Sequence, residues 1–151
     1  MAPRPKAAQE TGQRTAVASA EIPELHELEA VVMDQVWRMG KGTVREVLGA
    51  LNDAEPRARA YTTVMTIMRR LHAKGLLDRE RHDRADMYTP SLTRAEYAQR
   101  RACRQAEVLV AEYGDAALAA FLAQVEHLAP ERLAAVRQLV RQAESSNGGA
   151  K

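Results

Sequence analysis

Apolar residues recur at helical spacing through most of this chain and alternate only briefly. The clearest stripe is Val64, Ile67, Met68 and Leu71, at i, i+3, i+4 and i+7, which predicts a helix over residues 60–75 with one buried face. At about 100° per residue, Arg59, Thr62, Thr66, Arg69 and Ala73 fall on the opposite side, flanked by Thr63 and Arg70. Gly75 stands where a left-handed C-cap closes such a helix. Upstream, Leu25, Leu28, Val32, Val36 and Met39 form the stripe of a first helix, opened by Pro23 and Glu24 and stopped by Gly40. Trp37 lies at its margin as a packing residue. The run Thr43-Val-Arg-Glu46 is a capping box, in which the hydroxyl accepts a backbone N–H and the carboxylate reaches back. It starts a short helix to about Asn52, with Val44, Val47, Leu48 and Leu51 apolar, and a polar turn over residues 52–56.

Beyond Gly75 the period changes. Residues 76–81 and 86–90 alternate in part and are joined by a polar stretch, which predicts a β-hairpin with Arg84 near its tip. Leu77 can share a face with Arg79 and Arg81, so the first strand is either an exposed edge or anchored chiefly by Leu76. A second capping box, Thr93 to Glu96, starts a long helix to about Tyr113, interrupted by Gly114. A short apolar helix over residues 116–125 follows, then a last one from Pro130 with Leu133, Val136, Leu139 and Val140 apolar.

These elements predict a mainly α fold. An N-terminal winged helix-turn-helix occupies residues 22–91, with three helices and a small β-hairpin wing; a three-helix dimerisation region follows over 92–144. Residues 1–21 and 145–151 lack periodicity and are expected to be disordered tails. Three Ala- and Leu-rich helices beyond a domain already complete need a partner surface. A homodimer supplies it, with Leu118, Phe121, Leu122, Leu133, Val136 and Leu139 as apolar contacts. Folding back on the first domain as a monomer is the alternative.

Charge distribution changes the picture more than net charge. Residues 22–56 carry 3 Lys/Arg against 7 Asp/Glu, residues 57–90 carry 8 against 4, and residues 91–144 carry 7 of each. Positive potential is therefore concentrated in the segment that opens with the central helix, as expected of a polyanion-binding surface. The exposed side of that helix bears hydroxyls and arginines with no carboxylate, whereas an ordinary solvated face mixes both signs. Thr62, Thr63 and Thr66 are suited to base edges, and Arg59, Arg69, Arg70 and Arg84 to phosphates of double-stranded DNA. A core helix with an ordinary basic surface is the plainer reading of the same residues, and a protein-binding adaptor is a further one.

Other chemistry finds little support. His26, His72, His82 and His127 lie on separate elements without ligand or triad spacing. Cys103 is the single cysteine, and no glycine-rich phosphate loop follows a strand. Neither an enzyme nor a cofactor or metal is expected. No apolar run approaches the ~18 residues of a membrane span, and the N-terminus lacks the apolar region of a signal peptide, so a soluble cytoplasmic protein is expected.

The segment from Leu28 to Trp37, the run Tyr61-Thr-Thr-Val-x-Thr with Arg70-Leu and Lys74-Gly-Leu76, and Arg84-Ala-x-x-Tyr88-x-Pro90 together resemble the penicillinase-repressor (BlaI/MecI) family of bacterial transcription regulators. The resemblance covers about residues 25–142. It implies a homodimeric winged-helix repressor on a palindromic operator, typically controlling β-lactamase or penicillin-binding-protein genes and released when a regulatory protease, an antibiotic-sensing membrane enzyme, signals its cleavage. Gln105-Ala106 stands near the place where cleaved members carry Asn-Phe. The paired Cys-x-Cys motifs of the copper-responsive relatives are absent. Cleavage is expected between Gln99 and Ala111 if that mode of release is kept.

Overall fold

A computed structural model describes residues 21–147 of the protein, and the side chains of residues 21–145. Most of the two expected tails lies outside those residues. The parts that lie inside are ordered in two ways: Glu21 accepts a bond from Arg104 at 3.2 Å, and the last helix runs on to Asn147, past the expected start of a tail at residue 145.

In chain order the elements are α1 (Glu27–Met39), α2 (Val44–Ala54), α3 (Tyr61–Ala73), β1 (Leu77–Arg81), β2 (Asp86–Pro90), α4 (Arg94–Tyr113), α5 (Asp115–Glu126) and α6 (Pro130–Asn147). They divide into two compact units, one ending at Arg104 and the other beginning at Gln105, with the division inside α4.

The first unit is a mainly helical winged helix. Val32, Met33 and Val36 of α1, Val47 and Leu51 of α2, and Val64, Met68 and Leu71 of α3 meet in one buried cluster, closed by Leu76, Leu77 and Tyr88. The stripe expected for α3 is thus core, as are Val44, Val47 and Leu51 of α2; of the stripe expected for α1, Val32 and Val36 are buried, Leu25 (before the helix), Leu28 and Met39 pack partly buried against the cluster, and Met33 joins it instead. Thr43 caps α2 as its motif predicts: Glu46 N–H donates to the hydroxyl at 3.3 Å and Thr43 N–H to the Glu46 carboxylate at 2.8 Å. Asn52 has a role its sequence position did not suggest. Its Oδ1 accepts Arg59 N–H at 2.7 Å and its Nδ2 donates to Arg59 O at 3.3 Å, which fixes the turn between α2 and α3.

Two details differ from expectation. α1 begins after His26, not at Pro23-Glu24. Residues 22–24 belong to no helix or strand, and side chains from elsewhere satisfy their carbonyls: Arg101 bonds Ile22 O, Tyr97 bonds Pro23 O and Lys74 bonds Glu24 O. The hairpin also has a third partner, since Gly42 bridges Tyr88 with N–H···O bonds of 3.0 Å in both directions. β2 is therefore the inner strand and β1 the edge, in the register Leu77 to Pro90 through Arg81 to Asp86. Leu76 and Leu77 are both buried, so the edge strand is anchored at its root by the pair, while its remaining residues are exposed.

The second unit consists of the end of α4 with α5 and α6. Gly114, at φ 57°, turns the chain between α4 and α5 in a conformation a residue with a side chain seldom adopts. Ala117 is its one buried apolar residue among those described.

Candidate nucleic-acid interface

α3 is built to show one face. Its apolar stripe locks it into the core, which leaves Tyr61, Thr62, Thr63, Thr66, Arg69 and Arg70 exposed together. No side chain caps its start at Ala60 and no acid occupies its first turn. The positive end of the helix dipole and the first backbone N–H groups are therefore open toward solvent. Thr66 donates its hydroxyl to Thr62 O at 2.8 Å, which keeps its oxygen lone pairs outward as acceptors.

The far end of α3 is tied down by charge. Glu29 of α1 is 1% exposed; its Oε2 accepts from Lys74 Nζ at 2.6 Å and from His26 N–H at 3.1 Å. Burial pushes this carboxyl up, but the bonds from Lys74 and His26 outweigh it and hold the group below the ordinary carboxylate value. Arg70 lies 3.8 Å from Glu29 Oε1, so a cation expected to serve mostly phosphate is shared with an internal carboxylate. His72 adds a link to the wing, with Nδ1 2.8 Å from Leu77 O; a carbonyl can only accept, so Nδ1 carries the proton.

The wing closes a groove of about 360 Å³ against α3 and the start of α2. Arg69 of α3 and Arg84 of the wing, both singled out from sequence, line it together. So do Arg45 and Arg81, which sequence reasoning passed over. None of these four arginines has an ion-pair partner among the described residues. Arg45 sits over the Tyr61 ring, 5.9 Å from its centroid, an arrangement that orients a guanidinium without neutralising it. Asp86, on the same groove, is engaged by Arg79 at 3.7 Å, which leaves Asp83 as the groove's other carboxylate. The signal for Arg45 was present in the sequence: it is the second residue after the capping threonine, where a side chain stands beside the helix start. Arg81 could be found only from the strand register.

Arg59 stands apart from the other expected contacts. It precedes α3 rather than lying on it, is half-buried, and pairs with Glu55 at 2.7 Å while Asn52 holds its backbone. Its first task is to brace the turn. Among the described residues no group of three His, Cys, Asp or Glu side chains could hold a metal ion.

Comparison with known proteins gives the geometry a context. The family profile described as penicillinase repressor matches residues 25–142, which spans both units. The chain belongs to the penicillinase repressor family. A transcriptional regulator, BlaI, of Mycobacterium tuberculosis is 36% identical to it over 131 residues, covering 85% of this chain and 91% of that protein. Among solved structures, the DNA-binding domain of the repressor BlaI matches half of this chain and 90% of its own at 28% identity, with a TM-score of 0.44. The monomeric form of Bacillus licheniformis BlaI in complex with the blaP half-operator matches over the same shares at 28% identity and a TM-score of 0.42. As a member of the penicillinase repressor family, the protein is a winged-helix transcriptional regulator with a DNA-binding domain, and is not an enzyme. No helix among the described residues is long and apolar enough to cross a membrane.

Proposed function

We propose that this protein represses transcription by binding a palindromic DNA operator as a homodimer. Residues 22–91 read each half-site and residues 92–144 hold the two chains together. The observation that carries the reading is the convergence of Arg45, Arg69, Arg81 and Arg84 on one groove beside the acid-free face of α3. Such a groove neutralises phosphates on the strand that borders the major groove, while the exposed threonines of α3 stand at base-edge height. In this arrangement Thr62, Thr63 and Thr66 take base edges; Arg69, Arg70 and Arg84 take phosphates, and Arg59 contributes through the turn it braces. The regulated genes are those of a β-lactam response or a related one. The half-operator complex of the Bacillus licheniformis relative supports DNA as the partner.

A titration of duplex DNA at several salt concentrations tests this. Arg84→Ala and Arg45→Ala each weaken binding to all sequences alike and lower the slope of log K against log salt by about one. Thr62→Ala or Thr66→Ala relaxes base preference by about 1–3 kcal/mol. Binding unchanged in all four variants would sink the placement, and no salt-sensitive binding by the parent would favour a protein-interaction adaptor. Release is assigned to α4, through cleavage between Gln99 and Ala111. Exposure of the source cells to a β-lactam then shortens the protein on an immunoblot; an intact band while target genes are on excludes cleavage under that inducer.

A further inference from the structure

We infer that Glu29 is a positioning residue for DNA binding: its buried carboxylate holds the Arg70 guanidinium in place for a backbone phosphate. This rests on the DNA-binding reading above. Glu29 lies on α1, within the first unit, and is 1% exposed. A carboxylate is seldom buried so completely unless it is paired. Its two oxygens are used differently. Oε2 takes both firm bonds, from Lys74 Nζ at 2.6 Å and from His26 N–H at 3.1 Å. Oε1 is buried and accepts no hydrogen bond among the described residues; Arg70 Nη1 stands 3.8 Å from it. Capping α1 and pairing with Lys74 need only Oε2, whereas a buried acceptor without a bond costs free energy. The second oxygen therefore calls for a role of its own.

Arg70 belongs to the reading face as well. Thr63, Thr66 and Arg70 stand at i, i+3 and i+7 on one side of α3, and the Arg70 side chain is 57% exposed. A guanidinium carries five N–H donors in a planar fork, so its inner edge can lie on Oε1 while outer donors reach a phosphate. Two cations, Lys74 and Arg70, share the one carboxylate, which leaves the cluster positive toward DNA. An arginine loose in solvent gives up rotamer freedom when a phosphate immobilises it. One already confined beside Oε1 gives up less. Arg69, its neighbour in sequence, has no ion-pair partner among the described residues and supplies the natural control.

Glu29→Gln isolates the interaction. The amide oxygen can keep the place of Oε2, with its bonds from Lys74 and His26, while the amide nitrogen takes the place of Oε1 and cannot accept. The test uses the full chain and a duplex that the parent selects from a random library. Arg70→Ala should weaken binding at least about tenfold, and Glu29→Gln about three- to tenfold. In the Arg70→Ala background Glu29→Gln should cost less than about twofold, because the residue it positions is gone; in the Arg69→Ala background it should cost what it costs in the parent. Arg70→Lys, which keeps the charge without the fork, should lose at least as much as Glu29→Gln while keeping the parent's salt slope. Equal loss from Glu29→Gln with and without Arg70 makes the carboxylate a merely structural residue and overturns the inference. Unchanged or tighter binding by Glu29→Gln overturns it too, the latter because carboxylate and phosphate would then compete for Arg70. If circular dichroism shows Glu29→Gln unfolded, Arg70→Lys decides: parent-like affinity overturns the inference and the stated loss upholds it. A parent without salt-sensitive duplex binding removes the DNA reading itself; a parent that binds, with a neutral Arg70→Ala, removes this inference alone.

Discussion

The two compact units solve the problem of burying apolar surface in different ways. Up to Arg104, Val32, Val36, Val47, Val64, Met68 and Leu71 are each 0% exposed, and a single chain completes the core. From Gln105 on, Ala117 is buried, but Leu118, Phe121, Leu122, Leu139 and Val140 remain 41–64% exposed. Within the first unit, α1, α2, α3 and the two strands pack extensively on one another. Scattered exposed apolar residues are ordinary, but three leucines, a valine and a phenylalanine exposed on two successive helices are more than such a short stretch usually shows. The contrast teaches that the first unit is finished by its own sequence, while the second leaves apolar side chains exposed, which the proposed homodimer would cover.

The largest effect should come from placing charge in the unfinished surface. Leu122→Asp should convert the dimer to monomer in sedimentation velocity, at a cost of about 3–5 kcal/mol per chain for an unpaired buried charge, entered twice by symmetry. Thermal unfolding of the first unit should be unchanged. A dimer that survives the substitution would mean that other residues make the contact.

A matched pair of truncations sharpens the comparison. Met68→Ala empties part of a closed core and should destabilise the first unit by about 2–5 kcal/mol. Leu122→Ala in a dilute monomer should cost within about 0.5 kcal/mol, because that side chain is 64% exposed. Equal losses in chemical denaturation would show that the second unit has a core of its own.

The smallest effect is in pH. Glu29 is depressed in the folded protein, so its ion pair with Lys74 stabilises the first unit above the ordinary carboxylate value near 4.5; that contribution is lost as pH falls through the lower folded value. Denaturation followed from neutral pH downward should show this acid limb in the parent. It should be reduced when Glu29→Gln is combined with Lys74→Met, since the double change removes both charges and leaves neither buried alone. An acid limb of the same depth in that variant would assign it to other carboxylates.

Sequence alone determined what depends on local periodicity and local bonds. The stripes of α1, α2 and α3 follow from spacing, the α2 and α4 starts from threonine and glutamate three residues apart, and the wing from a change of period with a polar tip. The same spacing exposed Thr62, Thr66 and Arg69 together. Tertiary structure decided what depends on residues far apart in the chain. It joined Arg45 and Arg81 to Arg69 and Arg84 at one groove, and it turned Arg59 toward Glu55 and the α2–α3 turn. It also shared Arg70 with Glu29, 41 positions away in sequence (70 − 29), and drew Tyr97 and Arg101 onto residues 22 and 23. The reason is physical. A helical period is set by the backbone within a few residues, whereas an ion pair or a side-chain bond to a distant carbonyl exists only after the core has fixed where each helix lies.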